Sequence, residues 1–90
     1  MLQELKCVNP YYQDVIEDRK RFEVRWNDRF YHAGDILLLR EYDKEKDCYS
    51  GREVYVVVDY MLTEFEGLVK GYVVLGISKF DYLRVSERER

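Results

Sequence analysis

Residues 19–29, RKRFEVRWNDR, put five basic side chains among aromatics in a chain that is acidic overall. Arg19, Lys20, Arg21, Arg25 and Arg29 against Glu23 and Asp28 give the stretch a formal charge of +3, whereas the chain carries −3, which leaves −6 for everything else. From Phe22 onward the pattern alternates. Phe22, Val24 and Trp26 are apolar and Glu23 and Arg25 charged, the period of a strand with one face in a core and the other in water. The expected core face is Phe22, Val24 and Trp26. Lys20 falls in the turn before the strand, close enough to lean over the opposite face beside Glu23 and Arg25. That face is either a solvated strand surface or a binding site. A guanidinium fork suits phosphate or base edges, and a carboxylate accepts from amino groups.

Working outward, NPYYQDVIEDR reads as a helix over about residues 9–18. Asn9 suits the N-cap and Pro10 the first helical position, where its missing N–H is no loss. Tyr12, Val15 and Ile16 make one apolar face, with Asp14, Glu17 and Asp18 outside it. Before it, residues 3–8 are a plausible short strand. After residue 29, AGD at 33–35 is a turn, and ILLLREY at 36–42 reads as a strand buried on both faces. A polar loop then leads to REVYVVVDYM at 52–61, a long β-branched strand, and YVVLGIS at 72–78 is the last clear strand. The ending FDYLRVSERER loses the pattern, and residues 80–90 are expected to be a charged, frayed extension. One short helix cannot cover both faces of five strands. The expected architecture is therefore a mainly β (α+β) domain over residues 1–79, its sheet curled into a small barrel with the helix against it.

Ninety residues make one small domain, and 47% hydrophobic residues with 16% aromatics argue against disorder. Net acidity counts against long-range, non-specific nucleic-acid binding, which needs many cations, but permits one compact anion site. There is no apolar run of membrane-spanning length and no signal-peptide pattern, so a cytoplasmic location is expected. Cys7 and Cys48 form no CxxC motif, His32 is the single histidine, and neither a metal nor another cofactor is expected. His32 reads as a surface residue. Gly34, Gly51, Gly67 and Gly71 read as turn glycines rather than a phosphate loop. Most tyrosines are expected to fill the core, with Tyr11, Tyr31 and Tyr49 the exposed candidates for stacking on a base.

Three segments together, ELKCVNPYYQDVIEDRKRFEVRWNDRFYHAGDILLLREYD, YSGREV and GLVKGYVVLGI, resemble the small bacterial and phage branch of the ASCH superfamily. That branch is described as a domain of unknown function (domain of unknown function 3850) or as a putative RNA-binding protein. The resemblance spans residues 3–79, and KRFEVRWNDR is its most specific part. It implies a PUA-like β-barrel with a ligand cleft between barrel and helix. Lys20, Glu23 and Arg25 fall on the family's cleft motif, which Asn27, Asp28 and Arg29 continue. A related ASCH amidohydrolase deacetylates N4-acetylcytidine with a lysine, a threonine and a glutamate. Lys20 matches its lysine, Glu23 stands where its threonine would be, and Glu64 or Glu66 is the candidate for its acidic residue. Gln3 stands where the branch commonly has a histidine.

The function these readings imply is the binding of RNA, a nucleotide or a modified nucleobase through Lys20, Glu23, Arg25, Asn27 and Arg29, with Arg19 and Arg21 as peripheral charge. The alternatives are amide hydrolysis of an acylated nucleoside by Lys20 and Glu23, and a protein-interaction module, such as a phage factor acting on a host protein. No membrane partner is expected. Little or no hydrolysis of N4-acetylcytidine is expected, since a carboxylate replaces the hydroxyl nucleophile.

Overall fold

The computed structural model describes residues 2–80, so the expected extension lies, Phe80 apart, outside the described residues. The chain is mostly β. Strands β1 (Leu2–Val8), β2 (Phe22–Trp26), β3 (Ile36–Asp43), β4 (Cys48–Leu62) and β5 (Tyr72–Lys79) form one sheet, with the short helix α1 (Tyr11–Ile16) between β1 and β2. The order across the sheet is β1-β3-β4-β5-β2. β1 runs parallel to β3, and every other neighbouring pair is antiparallel. The sheet curls into a half-barrel with the helix against one side.

Curling leaves a concave face that must be filled, and the aliphatic strands fill it. Leu37 and Leu39 of β3, Val56 and Val58 of β4, and Val73, Leu75 and Ile77 of β5 are buried in one cluster with Leu5 and Cys7 of β1. The helix closes the cluster with Tyr12 and Val15, and Ile16 packs beside them. This is the apolar face that the i, i+3, i+4 spacing marks. The four-aliphatic run in β3 is indeed covered on both sides: Leu37 and Leu39 lie inside, while Leu38 is buried on the outer surface.

The helix is shorter than expected. It starts at Tyr11 with Pro10 as its cap residue, and Asn9 Oδ1 accepts from the Gln13 amide at 3.1 Å. It stops because Asp18 takes a left-handed conformation (φ 61°), which turns the Arg19 and Lys20 amides back onto the Asp14 carbonyl at 2.9 and 3.0 Å. That reversal places Lys20 between helix and sheet. β4 is longer than expected because Cys48 and Tyr49 still pair with Asp43 and Tyr42. The Tyr42 and Tyr49 rings meet edge-on at 5.2 Å, and the Arg40 guanidinium lies 4.0 Å from the centre of the Tyr49 ring. Cross-strand aromatic pairs of this kind hold a hairpin together past the point where its sequence turns polar.

Candidate functional site

The decisive departure from the sequence reading is the phase of β2. Its alternation is real, but the strand is turned over. Glu23 is 4% exposed on the concave side, while Phe22, Val24 and Trp26, the expected core face, are 46%, 49% and 55% exposed on the outside. The reason is the neighbourhood. β2 is the last strand of the sheet, its inner face looks across a gap at β1 and the helix, and that gap supplies charged partners. Lys20 Nζ donates to Glu23 Oε1 at 2.5 Å, and Arg25 meets Glu23 Oε2 through Nε at 3.0 Å and through its terminal nitrogen at 2.8 Å. A buried carboxylate with both oxygens occupied by cations is tolerable, whereas an unpaired one is not. With two cations and one anion, the cluster keeps one net positive charge.

Arg25, together with Arg29 and Gln3, also bridges the two open edges of the sheet. Arg25 donates to the Lys6 carbonyl at 2.9 Å, Arg29 donates to the Glu4 carbonyl at 2.8 Å, and the Gln3 amide donates to the Arg29 carbonyl at 3.1 Å. β1 and β2 form no ladder. Alternate carbonyls on the edge of β1 are satisfied by arginines instead of by strand amides.

A cleft of about 620 Å³ opens over this cluster. Lys20, Glu23 and Arg25 line it together with Cys7, Tyr11, Asp14 and Phe22. Tyr11 and Phe22 are both half exposed, and Lys20 Nζ lies 5.9 Å and 5.1 Å from their ring centres. The Lys20 ammonium also donates to the Phe22 carbonyl at 2.6 Å. Cys7 sits at the buried end. Burial first, then the Glu23 charge, pushes its thiol up to about 11, so it is a neutral thiol at physiological pH.

Of the five residues expected to bind a ligand, the fold brings three together at this cleft. Asn27 stands elsewhere. Its amide donates to the Gly71 carbonyl at 2.9 Å and its Oδ1 accepts from the Tyr31 amide at 3.3 Å, so it shapes the turn after β2. Arg29 is committed to β1. Of the peripheral cations, Arg19 lines the cleft but pairs with Glu17 at 2.5 Å, and Arg21 Nε donates to the Asp18 carbonyl at 3.4 Å. Within the cationic stretch, then, Arg19 is ion-paired, while Arg21 and Arg29 are spent on backbone carbonyls and keep their charge. Glu64 and Glu66 line a separate hollow with Asn27, Phe65 and Gly71, and no residue is common to the two cavities. Tyr31, expected to be exposed, is 2% exposed, and burial raises its hydroxyl. Tyr11 and Tyr49 are exposed as expected. His32 is exposed, and its amide donates to Asp35. Among the described residues no three His, Cys, Asp or Glu side chains gather as a metal site.

One polar cluster was missed. Glu41, nearly buried at the end of β3, accepts from Ser50 at 2.6 Å and from Asn9 at 2.5 Å, with Arg52 at 3.6 Å. Those hydrogen bonds, Ser50's first, hold its carboxyl below the usual carboxylate range. A hollow of about 680 Å³ beside it shares Val8 and Tyr11 with the first cleft. The signal was present in the sequence, because counting by two from Leu37 and Leu39 puts Glu41 inside.

The fold and cleft define a small, mostly β domain with an ionic cluster between its helix and an edge strand. Residues 2–77 match the family described as Domain of unknown function (DUF3850), and the chain belongs to that family. It is similar to the "Uncharacterized 12.9 kDa protein in GpA 3'region" of Escherichia phage P2, with 32% identity over 74 residues, which covers 82% of this chain and 65% of that protein. The match therefore spans a little under two thirds of the relative's length. No helix among the described residues is long and apolar enough to cross a membrane.

Proposed function

We propose that this family is a branch of the ASCH superfamily with a PUA-like barrel, and that the cleft over Glu23 binds one nucleotide or modified nucleobase, free or at an unpaired position of RNA. The observation that carries the reading is the arrangement of Lys20, Glu23 and Arg25 as a singly positive cluster below two half-exposed rings, Tyr11 and Phe22. Rings of this kind offer a base its stacking surface, and cations at its edge meet carbonyl or phosphate oxygens. Arg25 uses one terminal nitrogen and Nε on Glu23 and Lys6, which leaves its other terminal nitrogen for a ligand. The remaining arginines are held by the protein itself, Arg19 by Glu17 and Arg21 and Arg29 by backbone carbonyls, and the chain is acidic overall, which favours a footprint of one residue over a long track.

Hydrolysis of an acylated nucleoside is the weaker reading. Lys20 donates to the Phe22 carbonyl and to the Glu23 carboxylate, and to attack a carbonyl its ammonium would have to give up a proton beside that carboxylate. The test is a thermal-shift screen of nucleosides, nucleotides and short single-stranded RNAs, since a ligand of the native state raises the melting temperature by mass action. A hit should weaken by about 1–3 kcal/mol in Tyr11→Ala, the scale of a lost base stack. That variant removes an exposed ring and leaves the ionic cluster in place. Silence across the screen, or a hit indifferent to Tyr11→Ala, defeats the reading. Turnover of N4-acetylcytidine by the purified protein would replace it with hydrolysis.

A further inference from the structure

The outer surface of the sheet is divided into two unlike halves. Over β1, β3 and the start of β4 it is charged. Glu4, Lys6, Arg40 and Glu53 stand there, Arg40 reaching Glu4 at 3.9 Å and Glu53 at 3.6 Å, and Lys6 lies 4.3 Å from the Tyr42 ring centre. Over β2, β5 and the end of β4 the cross-strand rows are apolar. Phe22, at the sheet edge where this surface meets the cleft, aligns with Gly76 and Tyr60, Val24, which also borders the cleft, with Val74 and Leu62, and Trp26 with Tyr72. No charged side chain stands in these three rows, and Tyr60 and Trp26 are 66% and 55% exposed. Turning β2 over to bury Glu23 is what puts its apolar side on this surface.

We infer that this face is the interface of a two-fold dimer of the chain. Aromatic side chains of this size and exposure, with the valines between them, present roughly 500–600 Å² of apolar surface, the upper end of what an ordinary monomer leaves bare. Counted on both partners of a two-fold, that is roughly 1,000–1,200 Å², at the threshold of about 1,000 Å² for a specific interface. A two-fold contact sets the same patch against itself, so any charge in it would meet its own sign near the axis. The three rows have none, although the chain as a whole carries −3, and the nearest acid, the exposed Asp59 beside Tyr60, accepts from the Ser78 hydroxyl at the border of the face. The lack of cations in the rows disfavours a polyanion as the occupant, and their lack of acids disfavours a basic peptide.

The test is the solution mass of the purified chain by light scattering and sedimentation across a concentration series, with circular dichroism as a check on folding. The wild type should approach the mass of two chains. Tyr60→Asp and Tyr72→Lys, both at exposed positions, should keep the fold and raise the dimer dissociation constant at least about ten-fold, as loss of an aromatic anchor does. Lys6→Glu, on the charged half, should leave the dimer intact. A single-chain mass at every concentration overturns the inference. So does a dimer that survives both face variants, or one that Lys6→Glu disrupts equally.

Discussion

Within one curled sheet, the paired side and the open side are held together in opposite ways. Across β3, β4 and β5 the backbones pair along their length, and the space inside is filled by Leu37, Leu39, Val56, Val58 and Leu75, all essentially inaccessible to water. Between β1 and β2 there is no ladder. There the contacts are the side chains of Gln3, Arg25 and Arg29 on carbonyls, with Glu23 as the buried anchor. The paired side resists change through packing, which is indifferent to pH and salt. The open side depends on charges that must stay matched, and it is also where the cleft lies. A gap that backbone amides do not fill is a gap that a ligand can enter.

The comparison predicts a ranking. Leu39→Ala should be the most damaging, at about 3–4 kcal/mol by denaturant unfolding, because the paired side cannot collapse onto the space it leaves. Glu23→Ala should follow at about 3 kcal/mol, the lower end for breaking a buried ion pair, because Lys20 and Arg25 lie near the cleft mouth and regain some water. If Glu23→Ala is nearly neutral, the open side is not held by its ionic cluster and the distinction fails. Trp26→Ala should cost only about 1 kcal/mol, a ring pair and partial burial. Its ring covers Gly71 and meets Tyr72 edge-on at 5.5 Å, but it stands outside the core. A loss as large as that of Leu39→Ala would mean that the outer face is covered more fully than its exposure indicates.

The smallest expected effect concerns acid. The carboxyl of Glu41 is lowered in the folded chain, chiefly by the Ser50 hydroxyl, then by Asn9. Its stabilising contribution is therefore complete above the ordinary carboxylate value and disappears as pH falls through the lowered one. Ser50→Ala should bring the unfolding midpoints measured at about pH 6 and about pH 3 closer together, with the main loss at the higher pH. An unchanged difference would show that the Ser50 hydrogen bond to Glu41 does not carry the acid sensitivity.

At the level of elements, most of the fold was legible. The strands of β-branched and aliphatic residues, the helix beginning beside Asn9 and Pro10, and the inward Leu37 and Leu39 follow from local periodicity, which a chain carries wherever it packs. Three of the five expected site residues, Lys20, Glu23 and Arg25, were also legible as neighbours. Asn27 and Arg29 were not separable from them in sequence, because a turn-forming amide and a seam-bridging guanidinium look the same there as ligand contacts.

What the sequence by itself determined is that β2 alternates, with Phe22, Val24 and Trp26 on one side and Glu23 and Arg25 on the other. Which side faces inward was decided by the tertiary structure alone. A strand inside the sheet would have buried its aromatics. At the edge, opposite β1 and below the turn that delivers Lys20, burying Glu23 satisfies both of its oxygens and closes the gap, and the aromatics are left to the outer face. Hydrophobicity sets the period of a strand, but the partners available across space set its phase.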